Sequence, residues 1–426
     1  TRRYFGYGDD RRKENFSAND ILFGAWVAKE AEMPGFCAEG WLWGNEEGGL
    51  LICKYNPTQM EYTRFNRHPT TLPGRGAEDV AIVFGGVSLY EGNPELATTL
   101  KPDHSYSFGV TRYAIYEGDY KDGYYLYRSH LEEHGHKFKQ DYDPPVHWNE
   151  LYNLGWVSEK TGFFVDGTDF EVYTLEQLYK EAEIAKNIGA ECLYLDPGWN
   201  IALGSSIWNE DRFGSLKEFS KEIHENYDLK LALHLMMNFE GENELDEFYL
   251  RSKNGVKIVA DPYINLYSLC ANSHWVEEKT RRILELAKER VDFFMFEFTL
   301  AYLIPLYLHI NENSDNENML QFWWYASLAR HLGIGGLSDN QSTKYKALKD
   351  AMTLYKKNKH FFTRGTFYGI DYNTHLHVDE IEKSGVITAY NLSSRNQKVD
   401  VQIDFAKYGL DVNTVDIYNG INQKIS

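Results

Sequence analysis

The chain has 426 residues, 43% of them hydrophobic and 25% charged, with a formal net charge of −19. That length exceeds one typical core and predicts two or three domains. A surface this acidic repels nucleic acid and anionic membrane, and no run of about 18 apolar residues is present, so neither nucleic acid nor membrane is an expected partner. Aromatic residues make up 15%, including 31 Tyr and 10 Trp. That suits stacking on sugar rings, and equally the filling of β-sandwich cores. Cys37, Cys53, Cys192 and Cys270 form no CxxC pair, so free thiols are expected rather than a zinc site or redox dithiol. Thr1-Arg2-Arg3-Tyr4 does not read as a signal peptide. The compartment stays open between cytoplasm and secretion, and so does assembly into a homo-oligomer.

Residues 1–143 read as a β-sandwich domain truncated at its start. Gly49–Tyr55 and Val80–Phe84 are β-rich runs bounded by turn residues. One helix is expected from Gly123 to His134, with Tyr124, Tyr127 and Leu131 on one stripe. Pro144-Pro145 marks a boundary.

From 144 to 370 strands alternate with helices, which predicts a (β/α)8-type TIM barrel. Leu151–Val157 is expected as its first strand. Thr174 caps a helix, with Gln177 at the capping-box position. Ala190–Asp196 is a buried strand, Ser215 caps the next helix, and Leu229–Asn238 is a third strand. His274–Arg290 is a charged amphipathic helix, and Val291–Phe296 a fourth strand. Ile304–Ile310 is then another strand, only seven residues (Glu297–Leu303) further on. A parallel crossover needs a dozen or more. About six barrel strands are countable where a full barrel has eight. Residues of the natural chain are therefore expected to be missing near 296–297. Residues 371–426 predict a small C-terminal antiparallel β domain, with strands at Gly385–Leu392, Lys398–Phe405 and Thr414–Tyr418.

Function in a parallel barrel sits where strands end, at the C-terminal face. Asp196, closing an apolar strand before Pro197-Gly198-Trp199, is placed to accept hydrogen bonds from a sugar diol, with Trp199 as a stacking platform. Trp148 and Asn149 flank the first strand. His234, Asn238 and Glu240 alternate on the third, either as sugar contacts or as a polar layer inside the barrel. Glu297 ends the fourth strand, His309 lies on a later one, and Asp339 sits in a Gly-rich loop before a helix. The pairs His134/His136 and His375/His377 lack a third ligand nearby, so no metal is expected.

Several of these segments resemble the clan of retaining α-glycosidases that contains the family 36 α-galactosidases. Asp143–Glu150 resembles the approach to that family's first barrel strand. Ile184–Trp199 resembles its second strand, which ends Asp-Asp-Gly-Trp; here the second Asp is Pro197. Leu216–Asn238 resembles the next helix and strand. Met295-Phe296-Glu297 stands where the family has Lys-Trp-Asp with its nucleophile, and Ser338-Asp339-Asn340 resembles the acid/base segment. The resemblance implies a β-supersandwich, a barrel and a small β domain. It implies hydrolysis of α-glycosides by two carboxylates with no cofactor, an oligosaccharide or glycoside being the substrate. In a continuous chain Glu297 is the nucleophile and Asp339 the acid/base; in an interrupted one the nucleophile lies elsewhere. A transglycosidase, or a non-catalytic carbohydrate binder on the same frame, stays open.

Overall fold

The computed structural model describes residues 2–5, 36–38, 40–45, 47–56, 63–67, 80–84, 102–103, 105, 109–137, 140–154, 173–237, 239–241, 246–252, 254–261, 266–270, 273–297, 307–311, 324, 331–336, 343–398, 400–411, 413 and 416–418. The chain divides into two compact units, Thr1–Lys137 and Phe138–Ser426.

The first unit contains strands β1 (Arg2–Phe5), β2 (Phe36–Ala38), β3 (Gly40–Gly44), β4 (Gly48–Tyr55), β5 (Thr63–Arg67), β6 (Val80–Phe84) and β7 (Val110–Glu117). They form two antiparallel sheets, β1-β3-β4-β7 and β2-β5-β6. Helix α1 (Tyr120–Glu133) starts in a capping box made by Asp119 and Asp122. Its Tyr124, Leu126 and Tyr127 pack on Leu42, Leu51, Cys53 and Tyr116 of the first sheet. Gly123 permits this close approach, since a Cβ there would lie 2.7 Å from Leu42 Cδ2. His134 stacks on Tyr55 at 4.0 Å, and His136 bonds the Tyr55 hydroxyl at 2.8 Å, so this pair packs against an aromatic ring.

The second unit begins with β8 (His147–Asn149) and the short helix α2 (Leu151–Leu154). The expected first strand at 151–157 is therefore displaced: the extended segment precedes Glu150, and the Asn149 side chain turns the chain by accepting from the Leu151 N–H at 2.8 Å. Helix α3 (Leu175–Ile188) is capped by Thr174, which accepts from the Gln177 N–H. There follow β9 (Cys192–Leu195), α4 (Glu210–Phe213), α5 (Leu216–Tyr227), β10 (Lys230–Met236), β11 (Phe239–Gly241), β12 (Val259–Asp261), β13 (Leu266–Ser268), α6 (Trp275–Lys288), β14 (Phe293–Glu297), β15 (Tyr307–Asn311), β16 (His331–Gly335), α7 (Thr343–Thr363), β17 (Thr366–Gly369), β18 (Thr374–Asp379) and β19 (Ser384–Ala389). Ser215 precedes α5 without a side-chain cap bond.

Six strands form one sheet in the order β14-β10-β9-β8-β16-β15, parallel throughout. The last of the six in sequence, β16, pairs with the first, β8, as the strands of a closing barrel do. β14 and β15 are consecutive in sequence, yet among the described residues they stand at opposite edges of the sheet. Only residues 298–306 connect them, whereas the next shortest connection, 312–330, is 19 residues long.

Both faces of the central strands are covered, the condition of a parallel sheet. One face carries Leu193, Leu195, Leu231, Leu233 and Leu235 into the main core, with Leu178, Ala182 and Ala185 of α3 and Phe219 and Ile223 of α5. The other face gathers Cys192, Tyr194, Ala232, Phe293 and Met295. Lys359 of α7 bonds Glu191 at 2.8 Å and Asp143 at 3.0 Å, fixing the approach to β8.

β17, β18 and β19 form an antiparallel sheet beside α7, with His377 edge-on to Phe362 at 5.1 Å. His375 likewise packs against Phe367 and Tyr390. The described residues of the strand expected at 398–405 are irregular chain, leading into a short 3-10 turn, Phe405–Tyr408, capped by Asp404. No helix among the described residues is long and apolar enough to cross a membrane.

Candidate functional site

Alternation along β8 decides which of its residues face the site. Trp148 turns towards α3 and donates its indole N–H to Glu181 at 2.7 Å, wholly buried. His147 and Asn149 therefore project to the opposite face, the one lined by Tyr194 and Phe293. His147 bonds His331 of β16 at 2.9 Å and lies 5.0 Å from the Tyr194 ring. Burial holds His331 down at about 4, so its imidazole is uncharged near neutral pH.

Above it, at the C-terminal ends of β8 and β9, the polar groups converge. Asn149 donates its side-chain amide to Asp196 Oδ2 at 2.7 Å. Glu150 Oε1 accepts from the Asp196 backbone N–H at 2.8 Å and from the Tyr173 hydroxyl at 2.8 Å. Tyr173 lies against the turn after β9: a Cβ on Gly198, whose φ is +151°, would lie 3.2 Å from its ring. The positive φ favours glycine, and the tight contact adds to that preference. Arg212 of α4 donates to the Tyr173 carbonyl at 2.8 Å. Glu150 is fully enclosed, and burial followed by the Asp196 charge pushes its carboxyl well above the usual carboxylate range. Asp196 keeps 6% exposure. The arrangement provides a hydrogen-bond acceptor at the strand ends, oriented by an amide and a second acid, suited to binding hydroxyl groups.

A second polar cluster lies on α6. Lys279 donates to the Gly204 carbonyl, and Arg282 to the Ser205 carbonyl at 2.8 Å. Arg282 also lies 3.7 Å from Glu240 of β11, and both cations stand over the Trp275 ring. Burial lowers Lys279 to about 7, against the charge of Glu240, which raises it. Trp275 in turn donates to the Met237 carbonyl at 3.1 Å. This helix thus ties together the loops that follow β9 and β10.

Of the residues picked from sequence, Asn149 and Asp196 meet directly. His234 is 3% exposed and shares the strand parity of Ala232, which places it on the inner face of β10. Glu240 belongs with the α6 cluster. Trp148 faces α3. Trp199 is fully buried in the main core, stacked on Trp208 at 6.3 Å, with its ring enclosed. Glu297 is the last residue of β14, in register with Met236, and His309 lies within β15 opposite Gly333. The side chains of Glu297 and His309, and Asn238 and Asp339 altogether, lie outside the described residues.

Sequence reasoning missed Glu150 and Tyr173 as members of the site. Glu150 immediately follows Asn149 and was legible as a strand-end acid. Tyr173 carries no such signal, because it precedes α3 and reaches the site only through the fold. Lys279 and Arg282 could have been found from their spacing of four and seven residues from Trp275, which puts all three on one helical face.

No family model matches this sequence, and no curated protein matches it. The fold is that of solved family 36 α-galactosidases. The galactosidase domain of the α-galactosidase–sucrose kinase AgaSK matches with a TM-score of 0.56 at 11% identity, over 91% of this chain and 64% of that one. A family 36 α-galactosidase from Geobacillus stearothermophilus, solved with raffinose, matches with a TM-score of 0.56 at 11% identity, over 91% and 67%. The α-galactosidase from Lactobacillus brevis matches with a TM-score of 0.52 at 12% identity, over 84% and 60%. The chain thus spans about 60–67% of the length of these structures.

Proposed function

We propose that this chain forms the body of a glycoside hydrolase acting on α-glycosidic bonds, built as a β-supersandwich, a (β/α)8-type barrel and a small β domain. One observation carries the reading: on a fold shared with α-galactosidases, Asp196 ends β9 with its carboxylate held by Asn149 at the end of β8. Barrel enzymes place substrate-binding groups at such strand ends. In this reading Asn149, Asp196 and His234 contact the sugar, with Asn238 and His309 beside them. Chemistry of the retaining type uses a carboxylate to attack the anomeric carbon, while a second acid protonates the departing oxygen. In a continuous chain Glu297, at the end of β14, takes the first role and Asp339 the second; in a chain interrupted between β14 and β15 the nucleophile is a residue outside these 426. No cofactor is needed.

The sheet order supports a further part of the reading. β8, β9, β10 and β14 occupy the places of the first four strands of a barrel, and β15 and β16 those of the last two, so the natural barrel carries two more strand–helix units between β14 and β15. A second reading, a non-catalytic carbohydrate binder, is favoured by Pro197 in the place of a second carboxylate.

The test is a screen of nitrophenyl α-glycosides, with glycoside binding measured calorimetrically in parallel. Hydrolysis abolished by Glu297→Gln and by Asp339→Asn supports the assignment. Binding without turnover supports the second reading, and neither binding nor turnover refutes both.

A further inference from the structure

Two carboxylic acids share one enclosed space at the ends of β8 and β9. Glu150 is 0% exposed and Asp196 6%. One Glu150 oxygen, Oε1, is occupied by two donors, the Asp196 N–H and the Tyr173 hydroxyl. The other, Oε2, is buried without a hydrogen-bond partner among the described residues. Among the described residues the groups acting on this carboxyl are the Asp196 carboxylate from the end of β9 and the Tyr173 phenol from the turn before α3. Asn149, its neighbour in sequence, commits its amide to Asp196. Arg212 joins one step out, at the Tyr173 carbonyl.

Two anions so placed repel each other where water cannot screen them, and an ionised Glu150 would bury a charged oxygen with nothing bonded to it. A neutral acid leaves only an unpaired hydroxyl, a much smaller penalty. The pair is therefore asymmetric. Asn149 donates to Asp196 and favours its charged form, whereas the enclosed Glu150 has an oxygen to spare for a proton.

We propose that Glu150 is a protonated positioning residue: as a neutral acid it fixes the Asp196 backbone and leaves Asp196 as the negative member of this pair. Its protonation stands on the geometry alone. Its service to a ligand rests on the reading of Asp196 as the sugar contact. Burial and the Asp196 charge both push the Glu150 carboxyl upward, in the same sense.

The sign of the linkage gives the test. An acid that keeps its proton in the folded state, but releases it in the unfolded chain, makes stability fall as pH rises from about 4.5 towards the folded value. Glu150→Gln mimics the neutral acid and removes that contribution. Its melting temperature relative to the wild type should therefore rise between pH 5 and pH 8, windows set by the same linkage. A flat or falling difference overturns the proposal. Should the variant fail to fold, the wild-type protein with carbon-13-labelled glutamate decides. A protonated glutamic-acid carbonyl band that persists at about pH 8.5, where Glu181, raised to about 7, has lost its proton, supports the proposal, and its absence there overturns it. Where a nitrophenyl α-galactoside binds, Glu150→Ala should lose roughly tenfold in affinity, about one hydrogen bond's worth. Glu150→Gln should recover most of that loss, and failure to recover it overturns the positioning role. If no glycoside binds any of the proteins, the sugar reading fails by itself, and the infrared band and the pH slope still decide the protonation.

Discussion

The Asn149 amide meets the Asp196 carboxylate at 2.7 Å, tying the C-terminal end of β8 to that of β9. This bond orients the acid and commits one of its oxygens.

Asp196→Asn is expected to weaken glycoside binding by more than about 1.5 kcal/mol, the scale of a charge-assisted hydrogen bond. The melting temperature should change little, because the substituted amide still offers a carbonyl oxygen to Asn149. Calorimetry and thermal unfolding on the same preparation check both halves. A large loss of folding with intact affinity in the surviving fraction would sink the assignment.

Trp148→Phe should act on stability. It removes the indole donor that Glu181 accepts at 2.7 Å and leaves a buried carboxyl short of a partner, at a cost of about 1–3 kcal/mol. Burial already raises Glu181 to about 7, and the indole bond opposes that rise. Because the folded protein holds this proton more tightly than the unfolded chain, stability falls as pH climbs from about 4.5 through about 7. Without the indole the fall should extend to higher pH, so the gap between variant and wild type widens above neutrality. Denaturant melts across pH measure it. An affinity loss exceeding the stability loss would return Trp148 to the ligand site.

Lys279→Met should destabilise strongly, by about 3–5 kcal/mol, since it removes one member of a buried charged cluster and a donor to the Gly204 carbonyl. The loops after β9 and β10 should loosen first, which hydrogen exchange at residues 200–208 would register. Unchanged exchange there would contradict the clamp described for α6.

The natural polypeptide should be heavier than the 49.5 kDa of these 426 residues. A barrel of about 250 residues divides into units of about 30, so two further units add about 60 residues. Intact-mass spectrometry of protein purified from its source decides this. A mass of 49.5 kDa would rule the extra units out.

Much of the fold was legible because periodicity reports burial. The run Cys192–Leu195 is apolar at every position and forms a strand buried on both faces. Val80–Phe84 was placed without error in its bounds. The short stretch before β15 marked an unusual connection: β14 and β15 stand at opposite edges of the parallel sheet among the described residues, and a nine-residue link such as 298–306 is too short for a helix-bearing crossover. The strand expected at 151–157 failed for a local reason: the Asn149 side-chain oxygen Oδ1 accepts from the Leu151 N–H, so the chain turns into α2. Trp199 looked like a platform because it follows a strand-end acid, yet its ring fills the core against Trp208.

The sequence by itself determined the alternation of strands and helices, the acid at the end of β9 and the shortage of chain between β14 and β15, because each is written in local pattern and length. Only the tertiary structure decided that β16 pairs with β8, that Glu150 and Tyr173 join Asp196 across 46 and 23 residues of chain, and that Trp148 faces away from them. The physical reason is that strand parity and helix docking select which side chains share one enclosed space. Enclosure then sets their bonding and their charge, and neither property belongs to a residue until its distant neighbours arrive.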